Sequence, residues 1–289
     1  MTDIVLHAHT ASQLEQFIAQ PAHAVLLTGA DGIGKATLAA YLAAQILELP
    51  ADKLAQYQYA KLLGAQRGTI PIESIRELTH FLQLKTIGTK PLRRVIIAEH
   101  AQGLTLEAQN AFLKLLEEPP SDTIIILTAD TPRALLPTIR SRLQTIAVNA
   151  PPEAELKKHF ASAGNDETAI ARGYFLSGGL PGLMHALLAD DTAHPLLKSV
   201  AVAKELLGQP VFERLAKVDS LSKQKEEATH VLQALQHIAQ TGLDQAAGKS
   251  DAARIKQWHR VLKHTFAAQT AMQYSVNTKL ALTNLMLHM

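Results

Sequence analysis

The sequence contains no cysteine, so it forms no disulfide and offers no thiolate metal site. Aromatic residues are scarce, at 4%, although an apolar content of 47% is ample for a core. No apolar run approaches the roughly 18 residues of a membrane span. Met1-Thr2-Asp3-Ile4 lacks the basic, apolar and small-residue order of a secretory leader, so a cytoplasmic protein without a membrane partner is expected. The formal net charge of +2 is too small to argue for nucleic acid by itself. The 13 histidines are scattered without a close ligand pattern, so no metal site is expected. A length of 289 residues suggests two or three domains.

What the chain does contain is a Gly-rich loop in a telling setting. Thr28–Thr37 reads T-G-A-D-G-I-G-K-A-T. It follows the apolar run Ala24-Val25-Leu26-Leu27 and precedes a helical pattern over Leu38–Ala44. Strand, loop and helix in this order are those of a phosphate-binding P-loop. Gly29, Gly32 and Gly34 let the backbone turn so that its N–H groups ring a phosphate. Lys35 is placed to reach the outer phosphates, and the following helix adds its positive end. The hydroxyl that should follow the lysine and hold Mg²⁺ is missing, because position 36 is Ala36. Thr37 comes one place late, turned roughly 100° around the helix.

Alternating patterns continue to about residue 150. A helical face at 11–19 leads into the first strand. Residues 51–68 read as polar and loop-like, with a short strand at Thr69-Ile70. Ile72, Ile75, Leu78, Phe81 and Leu82 mark a helix. Arg93-Arg94 precede a buried strand, Val95–Ala98. A further helix carries Ala108, Ala111, Phe112, Leu115 and Leu116 and stops at Pro119-Pro120. Thr123–Thr128 and Gln144–Val148 are the remaining strands. This alternation predicts an α/β fold, a parallel sheet with helices on both faces. After Pro151-Pro152 the pattern is helical. Residues 251–289 carry five Lys or Arg against Asp251, which reads as a solvated face before it reads as a DNA or acidic-partner surface.

A P-loop ATPase also needs a carboxylate at a neighbouring strand end and a group to orient water. Glu99 and His100 follow the Val95–Ala98 strand at those two places. They are equally compatible with simple capping of that strand, and His100 cannot act as an anionic base.

The most specific stretches are Asn110–Pro120, N-A-F-L-K-L-L-E-E-P-P, and Thr138-Ile139-Arg140-Ser141-Arg142, with Thr128 ending the strand between them. Together they resemble the bacterial clamp-loader subunits of the AAA+ superfamily, relatives of gamma/tau, over about residues 10–190. The resemblance runs more loosely through 276–285, which looks like the family's closing collar helix. It implies a P-loop core over 1–150, a helical lid over 151–192 and a helical collar over 193–289. Thr128 falls at the sensor position. Gly29, Gly32, Gly34, Lys35, Thr37, Glu99 and Thr128 would form the nucleotide site.

Three departures point to the delta-prime branch, not to the motor subunits. Ala36 replaces the metal hydroxyl, His100 spoils the acidic pair, and Leu183 stands where motor subunits carry a lid arginine. The family's four-cysteine zinc module is absent too, so no zinc is expected. Weak binding of ATP or ADP stays open. Within the resemblance, Arg142 corresponds to a finger inserted into the neighbouring subunit's ATP site, with Arg140 its competitor. Lys114, Glu117 and Glu118 would shape a subunit face. The expected role is a stator that does not hydrolyse ATP by itself, in a hetero-pentamer with motor subunits (gamma/tau) and delta. That assembly would act on the sliding clamp and primed DNA within the DNA polymerase III holoenzyme. The alternative is an active AAA+ ATPase, either a motor subunit or another remodeller.

Overall fold

The computed structural model describes residues 4–64, 68–189, 195–273 and 277–289. The chain forms two compact units, Met1–Ala150 and Pro151–Met289.

The first unit is built on a five-stranded sheet. Its strands are β1 (Ala24–Thr28), β2 (Ala60–Leu63), β3 (Arg94–Ala98), β4 (Thr123–Ala129) and β5 (Gln144–Ala147). They lie in the order β2-β3-β4-β1-β5, and every pairing is parallel. Helix α1 (Ala8–Ala19) leads into β1; parallel neighbours need crossovers, and α2 (Lys35–Leu47), α3 (Ile72–Gln83), α4 (Leu106–Glu117) and the single turn α5 (Pro137–Arg140) supply them. The inner strands β1, β3 and β4 are buried throughout, as strands covered on both faces must be. Leu26, Ile96, Ile125 and Leu127 point to one face and pack with Ile75 and Leu78 of α3 and with Phe112 and Leu116 of α4. Their neighbours along the strands point the other way, towards α1 and α2, as the two-residue period requires.

Two local expectations need correction. Residues 60–63 form the edge strand β2 inside a stretch read as loop, while Thr69-Ile70 gives only an isolated bridge from Ile70 to Leu104. β2 is short and carries Leu62 exposed, so it shows neither alternation nor a buried run. Arg94 is part of the strand, not its flank, and is only 2% exposed. Its guanidinium lies over the Phe81 ring, 5.2 Å from the centroid, and donates to Leu82 O at 2.7 Å and to Leu84 O. A buried arginine thus satisfies carbonyls that the C-terminal end of α3 leaves unpaired.

Next to it, Asp122 accepts from Thr86 Oγ1 and Thr123 Oγ1 and lies 3.6 Å from Arg93. Burial acts to raise the pKa of this carboxyl. The two hydroxyl hydrogen bonds and the charges of Arg94 and Arg93 outweigh it, so the net shift is downward. The unfolded chain therefore binds this proton more tightly than the folded one. Asp122 contributes stability above the ordinary aspartate value of about 3.9 and loses it as pH falls towards the lower folded value. Asp122→Asn is expected to flatten the acid limb of stability, read from urea midpoints between about pH 6 and pH 3.

The second unit is helical: α6 (Glu153–Ser162), α7 (Glu167–Ser177), α8 (Pro181–Leu188), α9 (Pro195–Gly208), α10 (Val211–Ser222), α11 (Lys225–Gly248), α12 (Ala252–Gln273) and α13 (Thr278–His288). α11 is its axis and packs against α12, α9 and α7. The expected lid–collar boundary at 192/193 and the first residue of the 276–285 stretch lie outside the described residues. In the basic C-terminal stretch, Lys279 pairs with Asp219 at 2.6 Å and Arg254 with Asp251 at 3.6 Å. Gly178 ends α7 at φ 65°, and a Cβ there would lie 2.8 Å from the Cβ of His237 on α11. Gly178→Ala combines backbone strain with overpacking. It is expected to destabilise this unit by about 2–3 kcal/mol, seen as a lowered Tm.

Candidate functional site

The parallel register assembles the site. β1 pairs with β4 so that Thr28 faces Ala129, and Gly29 N–H donates to Ala129 O at 3.3 Å. The residue after β4, Asp130, is thereby set beside the start of the Gly-rich loop. β3 pairs with β4 so that Ala98 faces Leu127, which brings Glu99 and His100 to the same sheet edge. Ligand sites of open parallel sheets lie at this C-terminal edge.

The loop has the backbone the sequence predicts. Gly32 and Gly34 adopt φ 84° and 97°, a region that favours glycine. Gly29 is needed for space, since a Cβ there would lie 2.7 Å from Val148 O. Gly34 is the N-cap of α2 and offers no side chain to cap it.

Lys35 is where the expectation changes. Its side chain is 5% exposed and turned back into its own loop. Nζ donates to Gly29 O at 2.7 Å, to Ala30 O at 3.0 Å and to Asp130 Oδ1 at 3.0 Å. An ammonium has three donors, and all three are used. Asp31, inside the loop, adds a second carboxylate at 3.8 Å. Asp130 is fixed on its other side, where Oδ2 accepts from Gln102 Nε2 at 2.8 Å.

The remaining predicted residues divide. Thr128 Oγ1 accepts from the backbone N–H of His100 at 3.1 Å, so it shapes the β3 exit. That exit is tight, with His100 at φ 50°. Ala36 and Thr37 lie on the exposed side of α2. Glu99 is half-buried, and the carboxylates that gather at Lys35 are Asp31 and Asp130 instead. Sequence reasoning missed Asp130, which only the β1–β4 register could have revealed. It also saw no ligand cluster, whereas ligand atoms of Asp31, His100 and Asp130 lie within 4.8 Å of one another. Both carboxylates of that group already face the Lys35 ammonium. In this arrangement the lysine is engaged by its own loop and by Asp130, and the hydroxyl that would hold Mg²⁺ is absent at Ala36.

Arg142 sits elsewhere. It precedes β5, whose Gln144 pairs with Val25 near the start of β1. The Gly-rich loop follows the other end of β1. Strand rise puts Arg142 at the opposite sheet edge, at least about 13 Å away. There Nη2 donates to Glu117 Oε1 at 2.8 Å and Nη1 to Thr138 O at 2.8 Å, with the side chain 36% exposed. Arg140 is half-buried, and its Nε has no hydrogen-bond partner among the described residues. Leu183 is buried in the second unit.

The sheet order, the Gly-rich loop after β1 and the helical second unit define a P-loop protein of the AAA+ class. A family model described as DNA polymerase III, delta subunit, matches residues 7–152, and the chain belongs to that family. The chain is 35% identical to the DNA polymerase III subunit delta' of Pseudomonas aeruginosa over 214 residues, which cover 67% of this chain and 64% of that protein. It is 33% identical to the Escherichia coli (strain K12) subunit delta' over 128 residues, 43% of this chain and 37% of that one. The matches thus span less than two thirds of these relatives. Among solved structures, a DNA polymerase III gamma subunit-related protein of Thermotoga maritima shares the fold, with a TM-score of 0.51 and 18% identity over 96% of this chain and 97% of that one. Among the described residues, no helix is long and apolar enough to cross a membrane.

If Lys35 serves the fold, Lys35→Met should be destabilising, because it leaves Asp31 and Asp130 facing one another without a cation. The expected loss is about 1–3 kcal/mol, below that of a fully buried pair because Asp130 is partly exposed. The exposed Thr37→Ala should stay within about 0.5 kcal/mol of the parent. Urea unfolding of the two variants checks both.

Proposed function

We propose that this protein is a delta-prime-like stator of a clamp loader: a ring subunit that does not turn over ATP itself and completes a neighbour's ATP site with Arg142. The observation that carries this reading is the separation of the two features. Lys35 is sealed into its own loop, and Arg142 lies at the other edge of the sheet, out of reach of that loop. An arginine so placed has no phosphate to serve within its own chain. In a neighbouring pocket, a planar guanidinium can stabilise charge on transferring phosphoryl oxygens. Glu117 and Thr138 hold it extended along the end of α4, which limits its rotamers before any partner arrives. Partners on this reading are motor subunits (gamma/tau) and delta in a hetero-pentamer, acting with the sliding clamp at primed DNA. The active-ATPase alternative is disfavoured because neither Glu99 nor His100 is among the groups that pair with Lys35.

The isolated chain should show no ATP turnover. In a loader reconstituted with a motor subunit of its own source, Arg142→Ala should lower DNA-stimulated turnover by about 10³-fold or more, the scale of a lost arginine finger. Steady-state phosphate release measures both. Turnover by the isolated chain would sink the stator reading, and full loader activity in the variant would remove the finger.

A further inference from the structure

We propose that Asp130 is a built-in anion that takes a phosphate's place on Lys35, and that this contact, not the missing Mg²⁺ hydroxyl, closes the Gly-rich loop to polyphosphates. Ala36 removes only a metal ligand. A loop with glycines at 29, 32 and 34 and a free lysine could still hold a phosphate by backbone N–H groups and one ammonium. The lysine is not free. Two loop carbonyls and Asp130 Oδ1 fill its three donors at 2.7–3.0 Å, in a side chain that is 5% exposed. Asp130 is itself tied down by Gln102 at 2.8 Å, so the pair belongs to the framework between β3, β4 and the loop. Asp31 lies 3.8 Å from the same ammonium. Two carboxylates and one ammonium give the cradle a formal charge of −1, and an incoming phosphate meets repulsion where a nucleotide-binding loop offers attraction. The two defects are therefore separable. Asp130→Asn removes the charge while keeping the shape, and Ala36→Thr restores the hydroxyl while leaving the lysine engaged.

The test uses the full chain with inorganic tripolyphosphate in metal-free buffer, read by thermal shift and calorimetry. Wild type and Ala36→Thr should show no saturable binding. Asp130→Asn should bind at least about tenfold more tightly than wild type and gain Tm with rising ligand. Adding Lys35→Met to Asp130→Asn should abolish the gain. Wild-type binding equal to that of Asp130→Asn, a folded Asp130→Asn without gain, or a gain that survives loss of Lys35 would each overturn the proposal. Should Asp130→Asn not fold, the wild-type lysine is read directly by amine acylation followed by peptide mapping. Strong protection of Lys35 against surface lysines is expected, and labelling at the surface rate overturns the proposal. The result does not depend on whether the chain serves in a ring, so it stands or falls apart from the stator reading.

Discussion

The pairing of Thr28 with Ala129 is the constraint on which the rest depends. Parallel strands have no turn to fix their register, so side-chain burial on both faces must do it. Leu26 and Leu127 pair within the face covered by α3 and α4, while Val25 and Ile126 face α2 and α1. A slip of one residue would exchange these faces and move Asp130 away from Gly29. The apolar core therefore decides which carboxylate meets Lys35.

That pairing gives the loop a structural role independent of any ligand. Lys35 joins the first turn of α2, the exit of β1 and the exit of β4 through one ammonium. Gly29 allows Val148, just past β5, to approach and donate its N–H to Thr28 O at 2.7 Å. Removing a loop residue would thus disturb three strand ends at once. On the stator reading, this is reason enough for a Gly-rich loop to remain in a chain that does not turn over ATP.

The sequence disclosed what local pattern and spacing encode. β4, seven residues buried from end to end, and the amphipathic faces of α3 and α4 were readable because one segment contains the whole pattern. β2 was not, since Ala60–Leu63 owes its strand state to hydrogen bonds from β3 and shows no alternation of its own. Arg94 looked like a charged flank because sequence cannot show that Phe81 and two carbonyls surround it. The loop itself was legible and its occupant was not. Lys35 and Asp130 are 95 positions apart, and only the register of non-adjacent segments joins them. Glu99 was the natural choice along the chain, but the carboxylates that pair with Lys35 are Asp31 and Asp130.

The two sheet edges consequently have different relations to the core. At the C-terminal edge, a half-buried carboxylate and two backbone carbonyls engage the Lys35 ammonium. At the N-terminal edge, Arg142 is held by Glu117 and Thr138 on a half-exposed surface, where its charge is paired but not sealed. An ion pair there is worth little to stability, because water screens both partners. Its low value makes it exchangeable, and the stator reading draws on that. The stator reading rests on this asymmetry, with one cation enclosed by its own loop and one half-exposed at the sheet's other edge.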